Sequence, residues 1–200
     1  STMETKNETN KARGKFIAMA TAYCLGVFND NYFKQAAMLM AVSAGLSHLQ
    51  GTATVLFALP FILCSSLAGW LADRFPKRTV VIWSKVLELL AALMGAVGMI
   101  VGNWPCILAM VFLMGLQATF FSPALNGSIP ELYPAQYIPK INAILKLVTT
   151  LSILLGIATA GISLDQGVFR LGDLPPGATL VSIIVVAVAA IGLVAGFGIH

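Results

Sequence analysis

An all-α integral membrane protein with six transmembrane helices is the fold class this sequence predicts, and three observations predict it. Of its 200 residues, 58% are hydrophobic and 10% charged, whereas a water-soluble domain carries closer to a quarter charged residues to cover its surface. The apolar residues gather into six runs, at about 16–42, 53–71, 79–101, 106–126, 141–162 and 178–198. Each is near the ~20 residues a helix needs to cross ~30 Å of hydrocarbon. Short polar or Pro/Gly-rich segments separate the runs, and the alternating pattern of a membrane barrel is absent.

Residues 1–15 read as a polar N-terminal tail. The first run is too long for a cleavable signal, lacks a small-residue cleavage site, and is followed by five more runs. Its centre, GVFNDNYFKQ (26–35), is the most polar stretch inside any run, with Asn29, Asp30, Asn31, Lys34 and Gln35. At 1.5 Å per residue, Asp30 lies ~20 Å beyond Lys15, close to the bilayer centre. A charge there costs roughly 2.5–3.5 kcal/mol. Asp30 and Lys34 are four apart, on one helix face, in the order that favours a pair. Two uses fit: a neutralised staple between helices, or a hydrated wall that receives a polar ligand. The flanking amides favour the wet wall.

The second run has Pro60 at its middle and closes on GWLADRFPKR (69–78). Gly69 is expected to end the helix, Asp73 to sit against the positive end of the next one, and Arg74 to pair across to a neighbour. The third run carries Lys85 and Glu88 three apart, the fourth Gln117 and Pro123, and the fifth Lys146. Together with Asp30 and Lys34, these charges suit a cavity for a zwitterionic or anionic headgroup. Lys146 is equally compatible with snorkelling to the interface. Gly95, Gly98, Gly156 and Gly161 read chiefly as close-packing positions.

Sorting the loops onto two sides places Lys6, Lys11, Arg13, Lys15, Arg74, Lys77, Arg78 and Lys140 on one side and Arg170 alone on the other. The positive-inside rule then predicts a cytoplasmic N-terminus. The net charge of +4 is an orientation signal, and no basic and aromatic interleaving points to nucleic acid. Cys24, Cys64 and Cys106 are unpaired in spacing and read as inert thiols. With His48 and His200 the only histidines, neither a metal nor another cofactor is predicted. No G-x-S-x-G elbow supports a hydrolase, so a transporter is favoured over an enzyme.

Gly69-x-Leu71-Ala72-Asp73-Arg74-x-x-Lys77-Arg78 resembles the signature loop between helices two and three of the major facilitator superfamily, with Pro76 where the family usually has Gly. FNDNYFK (28–34), FFSPALNGSIPEL (120–132) and KINAILKLVTTLSILLGIATAG (140–161) resemble the lysophospholipid transporter branch. Leu125 departs from it, standing where some members carry lysine. The resemblance implies the N-terminal six-helix half of a two-half transporter built from inverted three-helix repeats. It implies a bacterial inner-membrane protein that flips lysophospholipids toward the cytoplasmic leaflet for re-acylation by alternating access. Asn29, Asp30, Asn31, Lys34, Gln35, Lys85, Glu88, Gln117 and Lys146 would bind substrate; Gly69, Asp73, Arg74, Lys77, Arg78 and Glu131 would form a conformational gate. Implied partners are the membrane, a missing C-terminal half or a second copy in a homodimer, and acyltransferase and acyl-carrier synthetase domains. Two other functions stay open: a proton-coupled drug or metabolite antiporter using Asp30 or Glu88, and a non-transporting anchor for an acyltransferase.

Overall fold

Helix boundaries follow the breakers in the sequence. The computed structural model describes residues 2–165 and 177–199, so Arg170 and His200 lie outside the described residues. Among those described are six α-helices: α1 (Thr2–Ser43), α2 (Leu49–Arg74), α3 (Lys77–Val101), α4 (Trp104–Leu132), α5 (Ile138–Asp165) and α6 (Ala178–Phe197), with a 3₁₀ turn at Ala135–Tyr137. Pro76 and Pro134 hold the residues before them, Phe75 and Tyr133, extended and so end α2 and α4. Gly102 ends α3 in the left-handed conformation (φ 75°), and the Asn103 side chain then accepts from the Cys106 N–H at 3.2 Å to start α4.

Three expectations change. The N-terminal tail is helical, continuous with α1 from Thr2; apart from Gly14 it holds no breaker. Gly69 does not end a helix, because α2 runs on to Arg74. Five helices, α2 to α6, are long and apolar enough to cross a membrane. The 42-residue α1 is long enough too, but Asn29–Asn31, Lys34 and Gln35 dilute its apolar centre. Pro60 lies inside α2, and Pro123 and Pro130 lie inside α4, without interrupting either helix.

The packing repeats itself. α1 packs on α5 and α6 while α4 packs on α2 and α3; α1 meets α4, and α3 meets α6. Exchanging α1 with α4, α2 with α5 and α3 with α6 maps this pattern onto itself. Consecutive helices alternate in direction, so the two three-helix units are inverted copies, the arrangement of transporter repeats. α2 and α5 keep the most exposed apolar surface, including Ile62, Leu63, Leu147, Leu154 and Leu155.

Two glycines permit the closest approaches to a neighbouring backbone. A Cβ on Gly156 of α5 would stand 2.6 Å from the Phe28 carbonyl oxygen of α1, and one on Gly115 of α4 would collide with the Phe57 carbonyl of α2. At Gly161 nothing lies within 4 Å. Gly156→Ala should therefore cost about 1–3 kcal/mol through forced separation of α1 and α5. Gly161→Ala should be neutral in the same unfolding measurement. Equal effects at the two positions would refute this reading of the α1–α5 contact.

Candidate functional site

Two apolar clusters fill the bundle, and a polar layer divides them. One holds Tyr32, Phe33, Met99, Met110 and Met114; the other holds Met19, Val81, Phe121, Leu125 and Ile129. Between them in sequence on α1, α3 and α4 fall Asn29, Asp30, Lys85, Glu88 and Gln117, all buried. A polar layer inside an apolar bundle persists only where its groups satisfy one another or serve a ligand. Both cases occur here.

The charge-paired part lies where α1, α3 and α6 meet, with the buried Asn29 Oδ1 left without a hydrogen-bond partner. Lys85 Nζ donates to Glu88 Oε2 at 2.9 Å, with both side chains at 0% exposure. Asn29 Nδ2 donates to Glu88 Oε1 at 3.3 Å and to the Val185 carbonyl of α6 at 2.9 Å. The Phe121 ring lies 5.3 Å from the ammonium. Gly26 and Gly192 give Lys85 its room, since a Cβ would stand 2.9 and 3.2 Å from Nζ. The three-residue spacing shows Lys85 and Glu88 on one face. It gave no sign that this face turns inward, and Gly26 and Gly192 become meaningful only once α1 and α6 are placed against it. Enclosed in this way, Lys85 and Glu88 are buried, and Lys85 borders only a cavity of about 10 Å³ that it shares with Asp30 and Gln117.

The unsatisfied part lies where α1 meets α4. Gln117 Nε2 donates to Asp30 Oδ1 at 2.8 Å. Lys34 does not pair with Asp30 as the spacing predicts; its ammonium lies over the Phe57 ring of α2, 4.4 Å from the centroid. The reason is rotation: Asp30 is buried, directed at α4, whereas Lys34 is half-buried toward α2. Among the described residues neither charge has an ion-pair partner. Asn31 bonds back to the Val27 carbonyl of its own helix at 2.9 Å. Asn31 and Gln35 are half-buried and Lys146 is exposed on α5. The three cysteines are free and half-buried.

At the loop end, Lys77 Nζ donates to the Ala72 carbonyl at 2.6 Å and stands 3.5 Å from Glu131 of α4. It thus caps the last turn of α2 while tying it to α4. Arg74 stacks on Trp70 of its own helix at 5.2 Å, and does not reach across. Arg78 donates to the Phe197 carbonyl of α6 at 3.5 Å. Asp73 is exposed, as is Glu131, and Gly69 has no atom close enough to require a glycine. An exposed pair is worth about 0–1 kcal/mol, so Glu131→Gln should hardly change the accessibility of cysteines introduced at this end. Lys77→Gln also removes the cap and should raise that accessibility; identical labelling of the two variants would contradict the capping role.

A sequence profile of the Major Facilitator Superfamily matches residues 14–198. The chain is 31% identical over 155 residues to the lysophospholipid transporter LplT of Enterobacter sp. (strain 638), covering 74% of this chain and 36% of that one. It is 30% identical over 154 residues to the protein of that name from Photorhabdus laumondii and 30% over 157 residues to the one from Klebsiella pneumoniae, with the same coverage. The matched region is thus about a third of the length of these relatives. With the inverted three-helix packing and the profile match over almost the whole length, the chain belongs to the Major Facilitator Superfamily.

Proposed function

We propose that this chain is the N-terminal half of a bacterial inner-membrane transporter that moves lysophospholipids toward the cytoplasmic leaflet by alternating access. In this reading α1 is the sixth crossing, the N-terminus is cytoplasmic, and substrate sits between this half and a second one. The observation that carries it is the pair of charges with no ion-pair partner in contact among the described residues. Asp30 has a neutral amide for a partner and Lys34 an aromatic ring, at mid-depth of a helix bordered by half-buried Asn31 and Gln35. A zwitterionic headgroup supplies both missing partners, its phosphate to Lys34 and its amine to Asp30, through charge-assisted bonds. Glu88 is paired with Lys85, which leaves Asp30 as the one of the two acids that an antiporter reading could use. The curated relatives named as lysophospholipid transporters support the same substrate class. Delivery to re-acylating domains follows from that class and is part of the proposal.

A leaflet-specific flipping assay with lysophosphatidylethanolamine, on the full-length protein in vesicles, tests this. Flipping supports the reading; transport of soluble cations with no lysolipid movement would replace it. Residues 1–200 alone are expected to insert without flipping, because one wall of the binding site is missing. Robust flipping by this fragment as a dimer would instead make the working unit a homodimer.

A further inference from the structure

Outside the polar layer, a groove runs along the contact of α1 and α5. At the loop end it opens as a cavity of about 820 Å³ lined by Glu8, Arg13, Tyr133, Tyr137, Lys140 and Ile144, among others. Ile144 also lines a second cavity of about 450 Å³, walled by Phe16, Thr21 and Phe28 of α1 and by Val148 and Leu155 of α5. The two adjoin at Ile144, a charged mouth beside an apolar floor. The wall residues on each helix recur at three- and four-residue spacing, so the groove follows one face of each. From Phe16 to Phe28 it runs twelve residues, ~18 Å at 1.5 Å per residue. One leaflet of a ~30 Å hydrocarbon core is ~15 Å deep.

We infer that this α1–α5 groove is a second lipid site, which seats one acyl chain of a cytoplasmic-leaflet lysophospholipid with its zwitterionic headgroup held at the mouth by Arg13, Lys140 and Glu8. The inference rests on the transport reading and deepens it: this is where the lipid lies on the cytoplasmic side, beyond the mid-membrane site at Asp30 and Lys34. The length matches a single chain crossing one leaflet. The mouth supplies two cations for phosphate and one carboxylate for an amine, all exposed. The Tyr133 and Tyr137 rings sit at the level where aromatic residues meet headgroups. Tyr133 is fixed there edge-on to Phe16, with centroids 5.4 Å apart, so the mouth and the apolar floor share a wall. A seat for one chain is expected to favour a lysolipid over a two-chain lipid.

The test is photo-crosslinking of the full-length protein in vesicles with a lysophosphatidylethanolamine bearing a diazirine midway along its chain. Adducts are mapped by mass spectrometry, and flipping is measured on the same vesicles. Adducts should fall within residues 16–28 and 144–155. Excess unlabelled lysophosphatidylethanolamine should remove them, and the diacyl lipid should not. Thr21→Trp places an indole in the groove from an exposed position and should reduce these adducts to background with the helical content unchanged. Arg13→Gln with Lys140→Gln should weaken binding on the order of tenfold at low salt, from loss of the charge-assisted bonds. Adducts spread over the outer faces of α2, α3 and α6, equal competition by the diacyl lipid, adducts undiminished by Thr21→Trp, or no adducts in the groove would each overturn the inference. Flipping without groove adducts defeats this site and leaves the transport reading standing. Groove adducts without flipping do the reverse.

Discussion

Asp30→Asn is expected to lower lysophospholipid transport by an order of magnitude or more while leaving unfolding stability within about 1 kcal/mol of wild type. The amide oxygen of asparagine can still accept from Gln117 Nε2, which now donates at 2.8 Å. Because Lys34 does not rest on Asp30, removing the acid leaves no cation newly unpaired; Lys34 keeps its place over Phe57. Neutralising a buried carboxylate also removes a desolvation cost. What disappears, if the proposed headgroup site is right, is the charge offered to a substrate amine, worth about 1.5–3 kcal/mol. Adding Lys34→Gln should deepen the transport defect, since the phosphate partner goes too. Recovery of transport in the double variant would show that the two residues only neutralise each other, and the headgroup site would be lost with it.

How far the sequence carried this result differs from level to level. Helix positions were legible where an apolar run stops at a proline or glycine whose backbone preference is local: Pro76, Gly102 and Pro134 act within two residues. That Asp30 and Glu88 fall at a common level was legible too, since 1.5 Å per residue places each near the middle of its run without tertiary information. Rotation was not. Whether Lys34 bonds Asp30 or turns to Phe57 depends on where α2 and α4 stand against α1, and a four-residue spacing allows both. The same holds for Lys85, which the spacing offered to a cavity and the placement of α1 and α6 encloses. The gate motif likewise gave residue types without partners, so Lys77 capping Ala72, rather than Arg74 crossing to another helix, was beyond its reach.

That contrast yields the largest expected loss of stability. Glu88→Gln should destabilise the protein by about 3–5 kcal/mol, the cost of removing one partner from a buried ion pair. Glutamine can still accept from Asn29, which donates at 3.3 Å. It cannot neutralise Lys85, whose ammonium would remain at 0% exposure, with the Phe121 ring 5.3 Å away and the Asp30 carboxylate across a shared small cavity as its remaining electrostatic relief. Water has little way in, because Gly26 and Gly192 close against the ammonium itself. Replacing both charges, as Lys85→Met with Glu88→Gln, removes the stranded cation along with its partner, and such exchanges are neutral or stabilising by about 1–4 kcal/mol in other buried pairs. Methionine fills the path of the lysine stem, so packing between α1, α3 and α6 is retained. Denaturation in detergent should therefore show a steep loss for Glu88→Gln and recovery for the double variant. Transport decides what the pair is for. If it only ties α3 to α1 and α6, flipping returns with stability. If the double variant is stable yet inactive, Lys85 and Glu88 become exposed to substrate in another conformation of the cycle, and their enclosure here marks one state of a moving site.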